Sequence, residues 1–328
     1  MKKINNDMPL VSVIIPVYNR QGCIEDTVKN TLKQTLDDIE IICVDDGSSD
    51  GTWDVLLRLT EFDNRVRVFH KENGGAGSAR NMGIEESKGE FLFFLDSDDS
   101  LCDRNVLRTL YNAAKENDAS VCGGKLLIEN SSGIIIAEET KMDDGFVEFE
   151  DYQKCYYFTR FIYSRRMIVD SKIQFPRISD YEDPVFFVNV MLAAKRFFHV
   201  DIDVYLYNHR HQDDNRINLN TFKDRLRGIT RLLQISRDNQ FEKLHHKMYM
   251  ALIDCAEKNG YDFLPSDDLE LFKVLISANE AIDNSLLEKS GSYHKNSDVL
   301  PVLQFIWSNS NKYQMLRKGK VFSLINKK

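Results

Sequence analysis

Short apolar runs alternate with segments of helical periodicity along the first 120 residues of the chain. Residues 11–15, 39–44, 66–69 and 91–95 are mostly apolar and rich in β-branched or aromatic side chains, which predicts four buried strands, the first closed by Pro16. Apolar positions recur every four residues at Ile24, Val28, Leu32 and Leu36, as on one face of a helix. Residues 53–59, 78–84 and 107–115 also suit helices, and 120–122 open another short strand.

Strands that alternate with helices predict an α/β fold with a mainly parallel sheet flanked by helices. The pattern is mixed from 123 to about 220 and then becomes purely helical. Two apolar helical faces follow, at Phe222, Leu226, Ile229 and Leu233 and at Phe241, Leu244, Met248, Leu252 and Cys255. We therefore expect a first domain over residues 1–215 and an α-helical C-terminal extension over 216–328, in which His245 and His246 lie on a helix surface.

Composition narrows the classes of function. The chain is 42% hydrophobic and 29% charged with a net charge of −8, which argues against nonspecific binding of nucleic acid. Its six cysteines form no C-x-x-C pair, so a zinc site is not expected. We find no signal peptide and no run of about 18 apolar residues, and expect a cytoplasmic chain.

The polar residues that need explaining follow the predicted strands, where open α/β sheets bind their ligands. Four clusters stand there, at 16–19, 45–51, 73–81 and 96–99. The last places Asp96, Asp98 and Asp99 together, and such crowding of like charge is unfavourable unless a cation or hydrogen-bond donors offset it. Mg²⁺ and Mn²⁺ favour one or two carboxylates with phosphate oxygens. Taken alone, this cluster is more typical of a solvated acidic turn or helix cap.

The other clusters are individually just as ambiguous. Tyr18 offers a face on which a base could stack, or is a rim aromatic. Asp46 could accept hydrogen bonds from a base or ribose, or belong to a turn before a helix. The glycine-rich loop has backbone amides that could approach an anion, or is a flexible turn. Arg80 occupies the place of the third glycine in G-x-G-x-x-G, which argues against a dinucleotide site, and the P-loop pattern is absent.

The four clusters in this order are far more specific than any one of them. SVIIPVYN, VDDGSSDGT, NGGAGSARNMGI and FLDSDD together resemble the family 2 glycosyltransferases with the GT-A (nucleotide-diphospho-sugar transferase, Rossmann-like) fold, closely over about 100 residues and extending to about 215. The resemblance implies a bound Mn²⁺ or Mg²⁺ ion. It assigns donor binding to Pro16, Tyr18, Asp45, Asp46, Arg80, Asp96, Ser97, Asp98 and Glu182, and metal binding to Asp98, with Asp96, Asp99 and His209 as further candidates.

The segment DYEDPVFF at 180–187 resembles the Glu-Asp segment of the same family. The resemblance implies that Asp183, ionised at an ordinary pKa, is the catalytic base and that Glu182 orients acceptor or donor. The alternative is that both acids simply suit a helix start, with Pro184 at an early helical position. YLYNHRH at 205–211 is a looser match in which His209, Arg210 or His211 could meet the diphosphate or metal, or be solvated.

The interpretation that follows is an inverting glycosyltransferase that moves a sugar from a nucleotide-sugar, UDP-linked by resemblance, to a hydroxyl of a glycan or lipid-linked acceptor in surface polysaccharide or glycan biosynthesis. Residues 301–328 mix basic and apolar side chains and either contact the inner face of the membrane or form a docked terminal helix. An inert sugar-nucleotide or glycan-binding module is the alternative. Nucleotidyl transfer has less support, because the turn at 16–20 is short and lacks glycine.

Overall fold

The computed structural model describes residues 8–130, 133–208, 217–263 and 268–290. The chain divides into two compact units between Asn215 and Arg216. Residues 209–216 and 291–328 are outside the described residues, and with them lie the metal candidate His209, its neighbours Arg210 and His211, and the segment 301–328 expected at the membrane. No described helix is both long enough and apolar enough to cross a bilayer.

The first unit contains ten strands within its described residues. They are β1 Val11–Val17, β2 Ile39–Asp45, β3 Val66–His70, β4 Phe91–Phe94, β5 Ser100–Leu101, β6 Val121–Asn130, β7 Gly133–Ile136, β8 Gly145–Glu148, β9 Phe161–Ser164 and β10 Arg196–Asn208. Seven helices connect them: α1 Ile24–Leu32, α2 Thr52–Phe62, α3 Ala76–Glu86, α4 Val106–Glu116, α5 Phe149–Tyr152, α6 Arg165–Asp170 and α7 Glu182–Ala194. Short 3₁₀ turns lie at Glu138–Thr140 and Phe158–Arg160.

All ten strands belong to one sheet, with the order β3-β2-β1-β4-β9-β6-β10-β5 and with β7 and β8 paired to β6 and β10. The strands β3, β2, β1 and β4 are mutually parallel, as is the pair β6 and β10. Strand β9 is antiparallel to both β4 and β6 and joins the two parallel groups. The predicted α/β fold with flanking helices and a mostly parallel central sheet is confirmed. Apart from the two-residue β5, the strands with only antiparallel pairing lie in the part whose pattern was mixed.

Strand β1 lies inside the parallel group, between β2 and β4, and every one of its residues is buried. It continues through Pro16, which pairs with Val44, rather than ending before it. The pairing of β1 with β4 ends at Ile14 and Phe94, whose neighbour Leu95 donates its N–H to Ile14. Backbone groups two residues apart point to the same side of a strand, so an N–H at residue 16 would point towards β4, as the carbonyl of Ile14 does. Strand β4 ends before that position, so the proline leaves no hydrogen bond between the two strands unmade.

Helix α3 packs closely on β1 through a glycine. A Cβ at Gly83 would lie 2.3 Å from Cγ2 of Ile14, so this contact admits no side chain. Helix α1 is shorter than predicted: it ends at Leu32, and Leu36 is buried in the connection to β2.

The second unit is helical within its described residues, as predicted, with α8 Leu219–Asp238, α9 Glu242–Phe263, α10 Leu269–Ala281 and α11 Asn284–Lys289. The expectation that His245 lies on a helix surface is wrong. His245 is fully buried, its Nδ1 lies 2.8 Å from Oγ of Ser236, and its Nε2 accepts a hydrogen bond from the backbone N–H of Asp283. The ring therefore joins the starts of α9 and α11 to the end of α8.

Candidate active site

The strand ends of the parallel group form a cleft of about 630 Å³. It is lined by Pro16, Val17, Tyr18, Asn19, Arg20, Asp46, Ala76, Arg80, Asp96, Ser97, Asp98, Tyr207 and Asn208. Seven of the predicted donor-binding residues are in that lining, because β1, β2 and β4 are neighbours and their carboxyl ends meet at one edge. Arg20, Tyr207 and Asn208 also line it, and the predicted set did not include them.

Asp46 is buried and holds the glycine-rich loop. Its carboxylate accepts hydrogen bonds from the backbone N–H groups of Gly74 at 3.0 Å and Gly75 at 2.7 Å, and from Nζ of Lys71 at 2.6 Å. Gly47, with φ of 76°, lets the chain turn sharply after Asp46. Two of the loop amides expected to face an external anion are therefore taken by a carboxylate of the chain itself.

Asp45 does not reach the cleft. The residue is fully buried at the end of β2, where Nδ1 of His70 lies 2.7 Å from Oδ2 and the N–H of Ser48 approaches Oδ1 at 3.3 Å. Side chains alternate between the two faces of a strand, so Asp45 and Asp46 point in opposite directions. Asp45 is not among the residues that line the cleft, and its contact with a donor stays a prediction.

Arg80 joins three elements. From α3, its Nη2 donates to Oδ1 of Asp96 at 2.8 Å and its Nη1 donates to Oε1 of Glu182 at 3.2 Å. The guanidinium lies over the rings of Phe158 and Phe175, with its carbon 5.0 and 5.3 Å from their centroids. Burial alone would lower the pKa of Arg80, but Asp96 and Glu182 more than offset this, so its pKa lies above the usual value. The end of β4 and the start of α7 are thus tied through one fixed cation.

Asp183 lies in the first turn of α7, immediately after Glu182. The chain enters this helix through Tyr181, whose φ of 67° is uncommon for a non-glycine residue. The pKa of Asp183 is raised, first by burial and then by the charges of Glu182 and Asp96, although Arg80 acts in the opposite direction. The expectation of an ordinary pKa at Asp183 is therefore wrong.

The three aspartates after β4 have different surroundings. Asp96 and Asp98 face the cleft, where Asp98 lies 3.3 Å from Nη2 of Arg20. Asp99 is only 4% exposed; its Oδ2 accepts from the hydroxyl of Tyr205 at 2.7 Å and its Oδ1 from the N–H of Asn208 at 2.8 Å. Asp99 therefore positions β10 against the aspartate loop, and the suggestion that it binds a metal is not supported.

The carboxyl of Asp99 makes folding stability depend on pH. Burial, and then the charge of Asp96, raise its pKa from 3.8 to about 7. The folded chain consequently keeps this proton to higher pH than the unfolded chain, so the free energy of unfolding falls as pH rises from 3.8 towards 7. From pH 5 to pH 8, we expect the wild-type protein to lose on the order of 2 kcal/mol more than Asp99→Asn.

Urea denaturation of the metal-free proteins at both pH values measures this difference. Asp103→Asn is the matched control, because Asp103 has an exposed carboxylate whose pKa is lowered by the N–H and side chain of Asn105. It should lose as much stability as the wild type. Equal losses for Asp99→Asn and the wild type would show that the proton is not held at Asp99.

The residues at the cleft fit a divalent metal bound together with a diphosphate. Asp96 and Asp98 supply carboxylate oxygens, and the described residues contain no group of three Asp, Glu, His or Cys side chains placed to hold a metal by themselves. Mg²⁺ and Mn²⁺ bind in this way, through one or two carboxylates with phosphate oxygens completing the shell. The six cysteines, all within the described residues, form no disulfide, and four of them are buried.

Residues 12–170 match the family described as Glycosyl transferase family 2. Glycosyltransferase GlyG of Streptococcus pneumoniae serotype 4 is 47% identical over 116 residues, which is 35% of this chain and 38% of that protein. The poly(ribitol-phosphate) beta-glucosyltransferase of Bacillus spizizenii is 34% identical over 206 residues, 60% of this chain and 32% of that protein. The chain thus matches 38% of the length of the first relative and 32% of the length of the second.

The crystal structure of S. aureus TarS 1-349 in complex with UDP-GlcNAc superposes with a TM-score of 0.67 at 21% identity, covering 84% of this chain and 82% of that one. This likeness shows that the chain has the GT-A fold. Over residues 12–170 the chain is similar to glycosyltransferase family 2.

Proposed function

We propose that this chain is an inverting glycosyltransferase that moves a sugar from a UDP-sugar to a hydroxyl of a glycan or lipid-linked acceptor in surface-glycan biosynthesis. The observation that carries the proposal is the bridge from Arg80 to Asp96 and Glu182. It brings the acids that follow β4, suited to a metal diphosphate, beside the acid pair that begins α7. Residues far apart in sequence are thereby assembled for donor binding and proton abstraction.

The donor occupies the cleft. Tyr18 is 48% exposed there and offers its ring to the uracil base, with Asp46 beside the base and Pro16 and Ser97 in the wall. Asp98, with Asp96, holds the Mn²⁺ or Mg²⁺ ion. When bound, the ion offsets negative charge on the departing nucleoside diphosphate. Arg80 keeps Asp96 in place.

Asp183 is the base that takes the proton of the acceptor hydroxyl as the sugar is transferred. Its raised pKa suits this role, because a general base is most effective when its pKa lies near the working pH. Glu182 holds Arg80 and so fixes the helix start from which Asp183 projects. The reaction needs no covalent intermediate, because one displacement on the side opposite the leaving diphosphate inverts the anomeric centre.

The relatives support the donor and acceptor classes. The crystal structure of TarS contains UDP-GlcNAc. The Bacillus spizizenii relative is named a poly(ribitol-phosphate) beta-glucosyltransferase. An α-linked UDP-sugar yields a β product only by inversion. We place the domain boundary near residue 215 and the protein on the cytoplasmic side, with 301–328 as its contact with the inner face of the membrane.

Calorimetric titration of UDP in Mn²⁺ and then in EDTA tests the donor site. We expect binding that requires the metal and that Asp98→Ala weakens about tenfold or more, since the variant loses the charged oxygen ligand. Asp103→Ala is the control, because its exposed carboxylate is outside the cleft. If UDP does not bind, GDP and dTDP are titrated next; failure of all three would favour an inert glycan-binding module. Release of pyrophosphate rather than nucleoside diphosphate would indicate nucleotidyl transfer.

A further inference from the structure

Arg20 forms an ion pair with the aspartate proposed to hold the metal. Its Nη2 lies 3.3 Å from Oδ2 of Asp98, and both side chains are partly accessible, 39% and 27% exposed. Arg20 also lines the cleft. The Asp98 carboxylate is therefore already neutralised by a cation of the chain.

The backbone of Arg20 is held by hydrogen bonds, whereas its side chain is partly exposed and makes only long contacts, to Asp98 at 3.3 Å and to the carbonyl of Asn19 at 3.4 Å. The N–H of Arg20 donates to Oγ1 of Thr52 at 2.8 Å, and its carbonyl accepts from the N–H groups of Cys23 and Ile24 at the start of α1. The Nε–H is shielded from water and has no acceptor among the described residues. A change of rotamer could satisfy this donor without disturbing the main chain.

Both aspartates proposed to hold the metal have a cationic partner before any ligand binds. Asp98 is paired with Arg20, and Asp96 with Arg80. A divalent cation that approached Asp98 alone would meet the guanidinium of Arg20 at short range, and like charges at such distances repel. A diphosphate that arrives with the cation reverses this, because it offers oxygens to the guanidinium at the same moment.

We propose that Arg20 is an exchangeable counter-cation for Asp98: it holds the carboxylate while the cleft is empty, gives it up to the divalent ion, and then binds the donor diphosphate. This inference rests on the proposed function. It predicts that Mn²⁺ alone binds weakly and that metal and nucleotide strengthen each other's binding. Planar guanidinium groups donate two parallel hydrogen bonds to phosphate, which suits Arg20 to the second contact.

The test is calorimetric titration of the full chain and of Arg20→Gln with Mn²⁺ alone, and then with UDP and with uridine in saturating Mn²⁺. For Arg20→Gln we expect Mn²⁺ alone to bind about two- to fivefold more tightly, the range for loss of a partly exposed ion pair. UDP should bind about tenfold more weakly through loss of a charged hydrogen bond. Uridine, which has no phosphate, should bind with unchanged affinity.

Lys29→Gln is the matched control. It removes the same charge from α1, where Lys29 pairs with Glu25 on the exposed surface and does not line the cleft. It should leave all three affinities unchanged. The fixed contacts of Arg20 are made by its backbone, so equal melting temperatures of Arg20→Gln and the wild type are expected.

The outcomes separate the two proposals. If the wild type shows no Mn²⁺-dependent binding of UDP, the proposed function fails. If the wild type binds UDP with Mn²⁺ but Arg20→Gln matches it for both Mn²⁺ and UDP, the exchange is overturned and the proposed function stands. If Lys29→Gln strengthened Mn²⁺ binding as much as Arg20→Gln did, the effect would come from the net charge of the protein alone. This result would also overturn the exchange.

Discussion

Asp183→Asn is expected to reduce sugar transfer by about 10²- to 10⁴-fold, the usual contribution of a positioned general base. Asparagine has nearly the shape of aspartate but cannot take the proton of the acceptor hydroxyl. Asp183 is absent from the cleft lining that would hold the donor, so the affinity for UDP in Mn²⁺ should stay within about twofold, less than the loss of one hydrogen bond. Single-turnover transfer and calorimetry measure the two effects separately.

The pH profile provides an independent check on the same residue. The pKa of Asp183 is raised by burial and by Glu182 and Asp96, so the ionised base is lost at a higher pH than for an ordinary aspartate. The acidic limb of kcat/KM for the donor, which reports the free enzyme, should therefore lie towards neutral pH. Asp170→Asn, at an exposed position on α6, is the control and should keep both rate and profile. Wild-type transfer by Asp183→Asn would show that another group is the base.

Arg80→Gln is expected to have the second large effect. It leaves Asp96 and Glu182 without their common cation, and breaking a buried ion pair in this way costs about 3–5 kcal/mol. Asp183 also loses a nearby positive charge that lowers its pKa, so the acidic limb of any residual activity should move to still higher pH. We expect transfer to fall by about 10²-fold or more, as for loss of a preorganised charged group.

Arg67→Gln separates this effect from simple loss of stability. Arg67 pairs with Glu40 at 2.7 Å and with Glu86 at 3.4 Å, away from the cleft lining. It should lower the melting temperature yet retain UDP affinity and transfer once folded. Arg80→Lys should recover only part of the activity, because one ammonium cannot reproduce the fork that reaches both acids. If Arg80→Gln retains full activity, the bridge is structural only.

The local patterns of the chain predicted those structural features that depend on residues close together in sequence. Apolar runs located β1 to β4, and the polar residues after them include most of the cleft lining, because parallel strands bring their carboxyl ends to one edge. The 13-residue β10 was not predicted. Its register with β6 shifts between His199 and Asp203 and again before Tyr205, and these irregularities break the alternation that marks a strand.

The partners of individual side chains could not be predicted in the same way. Asp99 is bound by Tyr205, 106 residues further along, and Arg20 meets Asp98 across 78 residues. Such pairs depend on how the elements pack, which local spacing does not encode. Asp45 and Asp46 are adjacent and chemically identical, yet the pleat of β2 separates them. The burial of His245 was not predicted because one of its partners, the N–H of Asp283, lies 38 residues further along the chain.

The hold of Asp46 on the glycine-rich loop limits how this protein can be engineered. One carboxylate both faces the cleft and fixes the N–H groups of Gly74 and Gly75. A library that varies residue 46 to change nucleotide preference would release the loop in most of its members and select for repaired folding rather than for a new base. Tyr18 is a better starting position, because its exposed ring can be exchanged without taking an acceptor from the backbone.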